Sequence, residues 1–168
     1  EEKRALLGEA LQKIDRPLRK VLIVPPDHTR LNSNAGELTA ILYDLLGADC
    51  EIDIMPALGT HAPMRDAQIA MMFGRDIPAD RFLVHDWRHD VVTKGEIAGD
   101  RLRDWSEGKL DYGVEVAVNK VLWNGYDVIL SVGQIVPHEV VGMANYTKNI
   151  VVGLGGSDII NKSHFLGA

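Results

Sequence analysis

Val21-Leu22-Ile23-Val24-Pro25-Pro26-Asp27-His28-Thr29-Arg30 is the stretch that decides the fold. Four apolar residues, three of them β-branched, make a short strand, and two prolines without N–H donors stop it. A compact polar cluster follows at once. Further along, Asn34 with Glu37 resembles a capping box ahead of Leu38, Ile41, Leu42 and Leu45, and Gly47 ends that helix. The unit then repeats. Glu51 to Met55 reads as a strand, Gly59-Thr60-His61-Ala62-Pro63 as its loop, and Pro63 opens a helix carrying Ile69, Met72 and Phe73 that Gly74 closes. Strand, loop and helix in succession, with reactive groups just after strand ends, mark an α/β sheet whose mouth collects chemistry.

Outward from this core the pattern loosens. Residues 2–14 carry Ala5, Leu6, Ala10, Leu11 and Ile14 at near-helical spacing and predict a surface helix. Phe82-Leu83-Val84 and Val91-Val92-Thr93 read as short strands around His85-Asp86-Trp87-Arg88-His89, whose histidines read as surface or structural. Tyr112 to Val118 alternates as a half-exposed strand does. Tyr126 to Val132 reads as a buried strand, and Ile150-Val151-Val152 as another before Gly153-Leu154-Gly155-Gly156. The expectation is a single α/β domain over 1–168: a mostly parallel sheet flanked by helices, with a small antiparallel insertion near 82–118.

Composition narrows the function. The 168 residues suffice for one domain with a real core. A net charge of −6 with no basic run argues against broad nucleic-acid binding. Cys50 is alone, which excludes a disulfide framework and a cysteine-based zinc site and fits a reducing cytoplasm. No apolar run reaches the ~18 residues of a membrane span, and no signal-peptide pattern is present. The chain lacks an initial Met and stops at Phe165-Leu166-Gly167-Ala168, as expected of the amino-terminal part of a longer protein.

The candidate chemistry lies in three places. His61 follows a strand and precedes a helix; it reads as an acid–base group or as a histidine satisfying a helix start. Asp27 and Arg30 form a polar turn, with the arginine fork suited to carboxylate or phosphate. Pro137-His138-Glu139-Val140-Val141-Gly142 leads to Lys148 and then His164, at separations of ten and sixteen residues from His138 onward. Lys148 sits against an apolar run, where a lysine bears a desolvation penalty. The glycine turn at 153–156 lacks the third glycine of a dinucleotide fingerprint and is a weak phosphate signal.

Together, the Asp-x-Thr-Arg loop, the Gly-Thr-His loop, and a His followed by Gly142, Lys148 and His164 resemble the lactate racemase family from about residue 20 to the chain's end. The resemblance implies an amino-terminal, cofactor-binding half of a two-domain isomerase that racemises or epimerises a small 2-hydroxy acid by hydride transfer to a nickel-pincer nucleotide. It implies that Lys148 holds the pyridinium cofactor through a thioamide and that His164 is the protein ligand to nickel. His61 and His138 are then the paired acid–base histidines, with Asp27, Arg30 and Gly142 near cofactor or substrate. The cofactor would come from dedicated maturation enzymes. One departure is visible: the founding racemases have a serine–glycine–glycine run where this chain has Met143-Ala144-Asn145-Tyr146-Thr147. Imidazole, with an unperturbed pKa of about 6.5, suits either direction of proton transfer. Two other readings stand beside this one. His61, His138 and His164 would serve a zinc-dependent hydrolase, and the same residues would also suit a non-catalytic domain binding an anion or a partner.

Overall fold

The computed structural model describes residues 1–167. Its centre is β1 (Lys20–Val24), whose Val21, Leu22, Ile23 and Val24 are all fully buried. Successive side chains leave a strand on opposite faces, so this run fills two cores at once. Val21 and Ile23 pack with Leu42, Ile52, Ile54 and Phe73, while Leu22 and Val24 pack with Met55, Val121 and Leu154. β2 (Glu51–Ile54) pairs parallel on one side of β1, and β5 (Val128–Ser131) pairs parallel on the other.

The order β2-β1-β5 has a consequence for function. The chain leaves β1 toward one side for β2 and later returns to the opposite side for β5. A crevice therefore opens at the carboxyl end of β1, where the loops diverge, and such switch points are where open α/β sheets hold ligands. Two further strands, β3 (Val91–Ile97) and β4 (Val114–Asn119), form a separate antiparallel pair with α4 (Gly99–Trp105) between them. This pair joins the body where Asn119 N–H donates to Leu154 O and where Gly156 N–H donates to Ala117 O. Buried His85 links the same parts: Asn119 Nδ2 lies 2.9 Å from its Nδ1, and its Nε2 lies 3.0 Å from Gly155 O. Its place is structural. His89 is exposed beside Asp86. The α/β class, the parallel sheet and the antiparallel insertion are as the sequence predicts.

The amino-terminal helix, α1 (Glu2–Gln12), buries none of its residues, as expected of a surface helix. Several other local expectations change. Helix α2 (Ala35–Leu46) begins after Asn34, but Asn34 is left-handed and its side chain does not cap; Ser33 Oγ accepts from Ala35 N–H instead. Helix α3 (Asp66–Phe73) starts three residues beyond Pro63, where Gln68 Oε1 accepts from Arg65 N–H. Phe82-Leu83-Val84 contributes only a single bridge to Ile54. β5 is half-buried rather than buried, because it forms the sheet edge, and β4 is more buried than its alternation suggests.

The largest correction is at Ile150-Val151-Val152, which is no strand. Helix α5 (Thr147–Val151) occupies this segment, and α6 (Ser157–Gly167) follows. Strand preference of β-branched residues is weak against tertiary context. Here Asn149 decides: its buried amide donates to Val24 O and Asn145 Oδ1 and lies 3.5 Å from Val132 O, tying the segment across the ends of β1 and β5. An extended chain could not present that side chain there while closing the turn.

Helices α2 and α3 meet at Gly36, where an added Cβ would lie 1.8 Å from Met72 O. That atom is backbone and cannot swing aside. Gly36→Ala is therefore expected to destabilise the protein by about 2 kcal/mol, the range of overpacking, despite alanine's better helix propensity. A urea-unfolding midpoint equal to wild type would show that the helices separate freely. Among the described residues no helix is long and apolar enough to cross a membrane.

Candidate active site

The crevice is a cleft of about 460 Å³ lined from the loops after β1, β2 and β5 and from α5 and α6. His61, His138, Lys148, His164, Asp27 and Arg30 all line it. The parallel sheet explains the convergence, since strands running the same way deliver their following loops to one edge. Gly142 is not among the lining residues. Its φ of 59° places it in the left-handed region, and its carbonyl accepts from His138 N–H at 2.8 Å, so it closes the turn carrying His138.

Asp27 is 3 % exposed, and both of its oxygens are used. Oδ1 accepts from the N–H and hydroxyl of Thr29, and Oδ2 lies 2.5 Å from His61 Nδ1. The Asx-type turn suggested by the sequence is thus present, and it aims the second oxygen at His61. A carboxylate so committed orients an imidazole and is not itself part of an anion-binding surface. With Nδ1–H held by Asp27, Nε2 of His61 carries the lone pair. Burial raises the Asp27 carboxyl, but the Thr29 and His61 hydrogen bonds outweigh it and hold it below its ordinary value.

The sign of the linkage follows. A depressed folded-state pKa contributes stability that is fully present above the unfolded value of about 3.9 and is lost as pH falls through the folded value. Asp27→Asn is expected to lower the thermal midpoint near neutrality, with the gap from wild type narrowing below pH 4. A gap constant from pH 7 to pH 3 would show that ionised Asp27 is not preferentially stabilised by folding.

His138 is held differently. The N–H groups of Val140 and Val141 both donate to its Nδ1, each at 3.1 Å. Its Nε2 stands 3.7 Å from Glu139 Oε2, and its ring meets that of His164 edge-on with centroids 6.1 Å apart. Burial, then Lys148, lowers its pKa against a smaller opposing effect of Glu139. Glu139 was not singled out in the sequence. It lines the cleft and approaches Arg30 to 4.0 Å. Its only signal was adjacency to His138.

Lys148 is partly desolvated, and this desolvation, followed by Arg30, lowers its pKa. The salt bridges and side-chain hydrogen bonds among the described residues give its Nζ no partner, whereas Lys3, Lys20, Lys120 and Lys162 are paired. His164 directs Nδ1 to Ile160 O at 2.7 Å, one turn back along α6, which leaves Nε2 free. The loop before Lys148 lacks glycine yet keeps left-handed φ values of 57° at Asn145 and 54° at Tyr146. Asn145 tolerates this; Tyr146 bears strain on the order of 1–2 kcal/mol. Ser131 Oγ secures the turn, its one hydrogen within reach of both Asn145 Oδ1 at 3.2 Å and Tyr146 O at 3.1 Å.

No three His, Cys, Asp or Glu side chains among the described residues are grouped to hold a metal ion. The three cleft histidines therefore do not form the protein-only cage that a zinc hydrolase needs. His164 with a free ring nitrogen and the unpaired Lys148 line the same cleft, and these residues fit a metal carried in by an organic ligand, the group that the family resemblance implies.

Fold and cleft define an α/β domain with a switch-point site built of two differently oriented histidines, a desolvated lysine and a third, half-free imidazole. The chain matches the description "lactate racemase N-terminal domain" over residues 3–168 and belongs to that family. Among solved structures, a Thermotoga maritima protein superposes with a TM-score of 0.85 at 22% identity, covering 99% of this chain and 41% of that one. The lactate racemase apoprotein from Thermoanaerobacterium thermosaccharolyticum gives 0.68 at 21% identity, covering 94% and 38%. These likenesses concern the fold, and the chain spans about two fifths of either structure's length. No curated protein sequence matches it.

Proposed function

We propose that this chain is the cofactor-holding half of a two-domain racemase or epimerase acting on a small 2-hydroxy acid. The observation that carries this reading is the unpaired, desolvated Lys148 facing the same cleft as His61 and His138. Lys148 would hold the nickel-pincer nucleotide, and His164 Nε2 would complete the metal's ligand set. When bound, that group supplies the hydride acceptor and donor. The protein's own residues do the rest. Arg30 binds the substrate carboxylate or the nucleotide phosphate by its fork geometry. His61 takes the hydroxyl proton at Nε2 while Asp27 steadies the imidazolium. His138 faces the reacting oxygen.

Hydride chemistry needs a water-poor site, whereas the His61 side chain is 58% exposed here. A second domain closing over the cleft would supply the cover. The test uses a longer protein containing that domain, made alongside the cofactor-building enzymes and assayed by chiral separation on a panel of 2-hydroxy acids. Interconversion of at least one pair of enantiomers or epimers is expected. A loaded protein inert on every member of the panel would overturn the reading.

A further inference from the structure

We infer that the substrate is a 2-hydroxy acid with a single carboxylate and a second hydroxyl on carbon 3, and that Glu139 selects it. The inference rests on the racemase or epimerase reading and deepens it by naming the substrate class.

Glu139 lies in the turn that the His138–Gly142 hydrogen bond closes, and it lines the cleft. Its Oε1 is 4.0 Å from the Arg30 guanidinium and its Oε2 is 3.7 Å from His138 Nε2. Both separations exceed hydrogen-bond length, so each oxygen keeps room for a donor. The side chain is 72% exposed, which leaves it free to turn toward a ligand. An ionised carboxylate only accepts. A 2-hydroxy acid with its carboxylate on Arg30 and its reacting oxygen at His138 bridges the two groups that Glu139 adjoins. Carbon 3, bonded to the reacting carbon, then passes beside the Glu139 carboxylate. A hydroxyl there donates to it, a methyl group offers nothing, and a second carboxylate is repelled.

The charges of the cleft point the same way. Apart from the histidines, its ionisable lining residues are Asp27, Arg30, Glu139 and Lys148. Asp27 is committed to Thr29 and His61. In the proposed function, cofactor attachment removes the positive charge of Lys148. Arg30 is then the one permanent cation of this lining among the described residues, and Glu139 already opposes it. One substrate carboxylate exhausts it. A second would meet Glu139 without a counter-charge, a repulsive element of the kind that sets specificity. Neutral hydroxyls find partners instead. Thr60 and Gln134 line the cleft with no side-chain hydrogen bond among the described residues, and Ser33 Oγ, which accepts from Ala35 N–H, still has its hydrogen to give.

The test uses the two-domain protein loaded with cofactor and three acids that differ only in what carbon 3 carries. Glycerate has a hydroxyl there, lactate a hydrogen and malate a carboxylate. Wild-type kcat/KM for glycerate is expected to exceed that for the other two by about tenfold or more, the worth of one charge-assisted hydrogen bond. Glu139→Gln keeps the shape and removes the charge. It is expected to lower the glycerate-to-malate ratio about a hundredfold, because it weakens one contact and lifts one repulsion. A wild-type preference for lactate or malate overturns the inference. So does an unchanged ratio with all three acids falling together, which would place the effect of Glu139 on Arg30 or His138 and not on carbon 3. Dissociation constants of the same acids, measured by calorimetry on the same proteins, read selection without turnover. An inert wild type that binds glycerate over malate, with that preference lost in Glu139→Gln, removes the racemase reading and leaves the ligand assignment standing. An inert wild type with no preference sinks both.

Discussion

Protein carrying Lys148→Ala, made alongside the enzymes that build the cofactor, is expected to emerge with no covalently attached organic group. Wild-type protein prepared in parallel should show added mass localised by peptide mapping to Lys148. The effect is all-or-none because the attachment needs a primary amine at this position. The described residues offer Lys148 Nζ no ion pair, and its surroundings already disfavour the charged ammonium. The neutral amine is the nucleophilic form, and a lowered pKa raises its share. Lys148→Arg keeps the charge but offers no such amine and should fail equally. His164→Ala is expected to behave differently, losing more nickel than organic group, because in the proposed function its free Nε2 would serve the metal and not the attachment. Equal nickel in His164→Ala and wild type would remove His164 from the ligand set. Added mass persisting in Lys148→Ala would move the attachment elsewhere.

The second large effect is expected at His61. His61→Ala in the loaded two-domain enzyme should lower kcat by roughly 10²–10⁴, the range for losing a positioned general base. Nickel content and covalent mass should stay at wild-type levels, since neither depends on this loop. Asp27→Asn should produce a loss of similar order with His61 present. An amide in place of the carboxylate no longer stabilises the imidazolium or enforces Nδ1–H, and in hydrolase triads that error costs about 10⁴. Activity within threefold of wild type in both variants would exclude proton transfer through His61.

The contrast between Asp27 and Lys148 shows how far the sequence reaches. Lys148 was legible because a lysine against an apolar run is locally anomalous, and the structure finds it desolvated and unpaired. Asp27 was legible as a residue of interest, but its partner was not. His61 lies 34 positions away, and only the parallel pairing of β1 with β2 brings the two loops together. Asn149 carries no signal in sequence and Glu139 only its adjacency to His138, because a polar residue beside a candidate histidine or lysine is unremarkable until its neighbours are known. Ile150-Val151-Val152 misled for the opposite reason: its local preference for strand is real, but a single amide bonded across two strand ends outweighs it.

What the sequence by itself determined was therefore the class of fold, the strands at Val21 and Glu51, and the set of reactive side chains. Those follow from local matters: β-branched runs, prolines that stop them, and reactive residues placed after strand ends. What only the tertiary structure decided was how each imidazole is oriented. His61 is turned by a carboxylate from another loop, and His138 by two N–H groups whose direction depends on how the Pro137–Gly142 turn closes. The proton on an imidazole goes to whichever nitrogen lacks a donor facing it. That choice is made by hydrogen bonds across the fold, which no spacing of residues along the chain encodes.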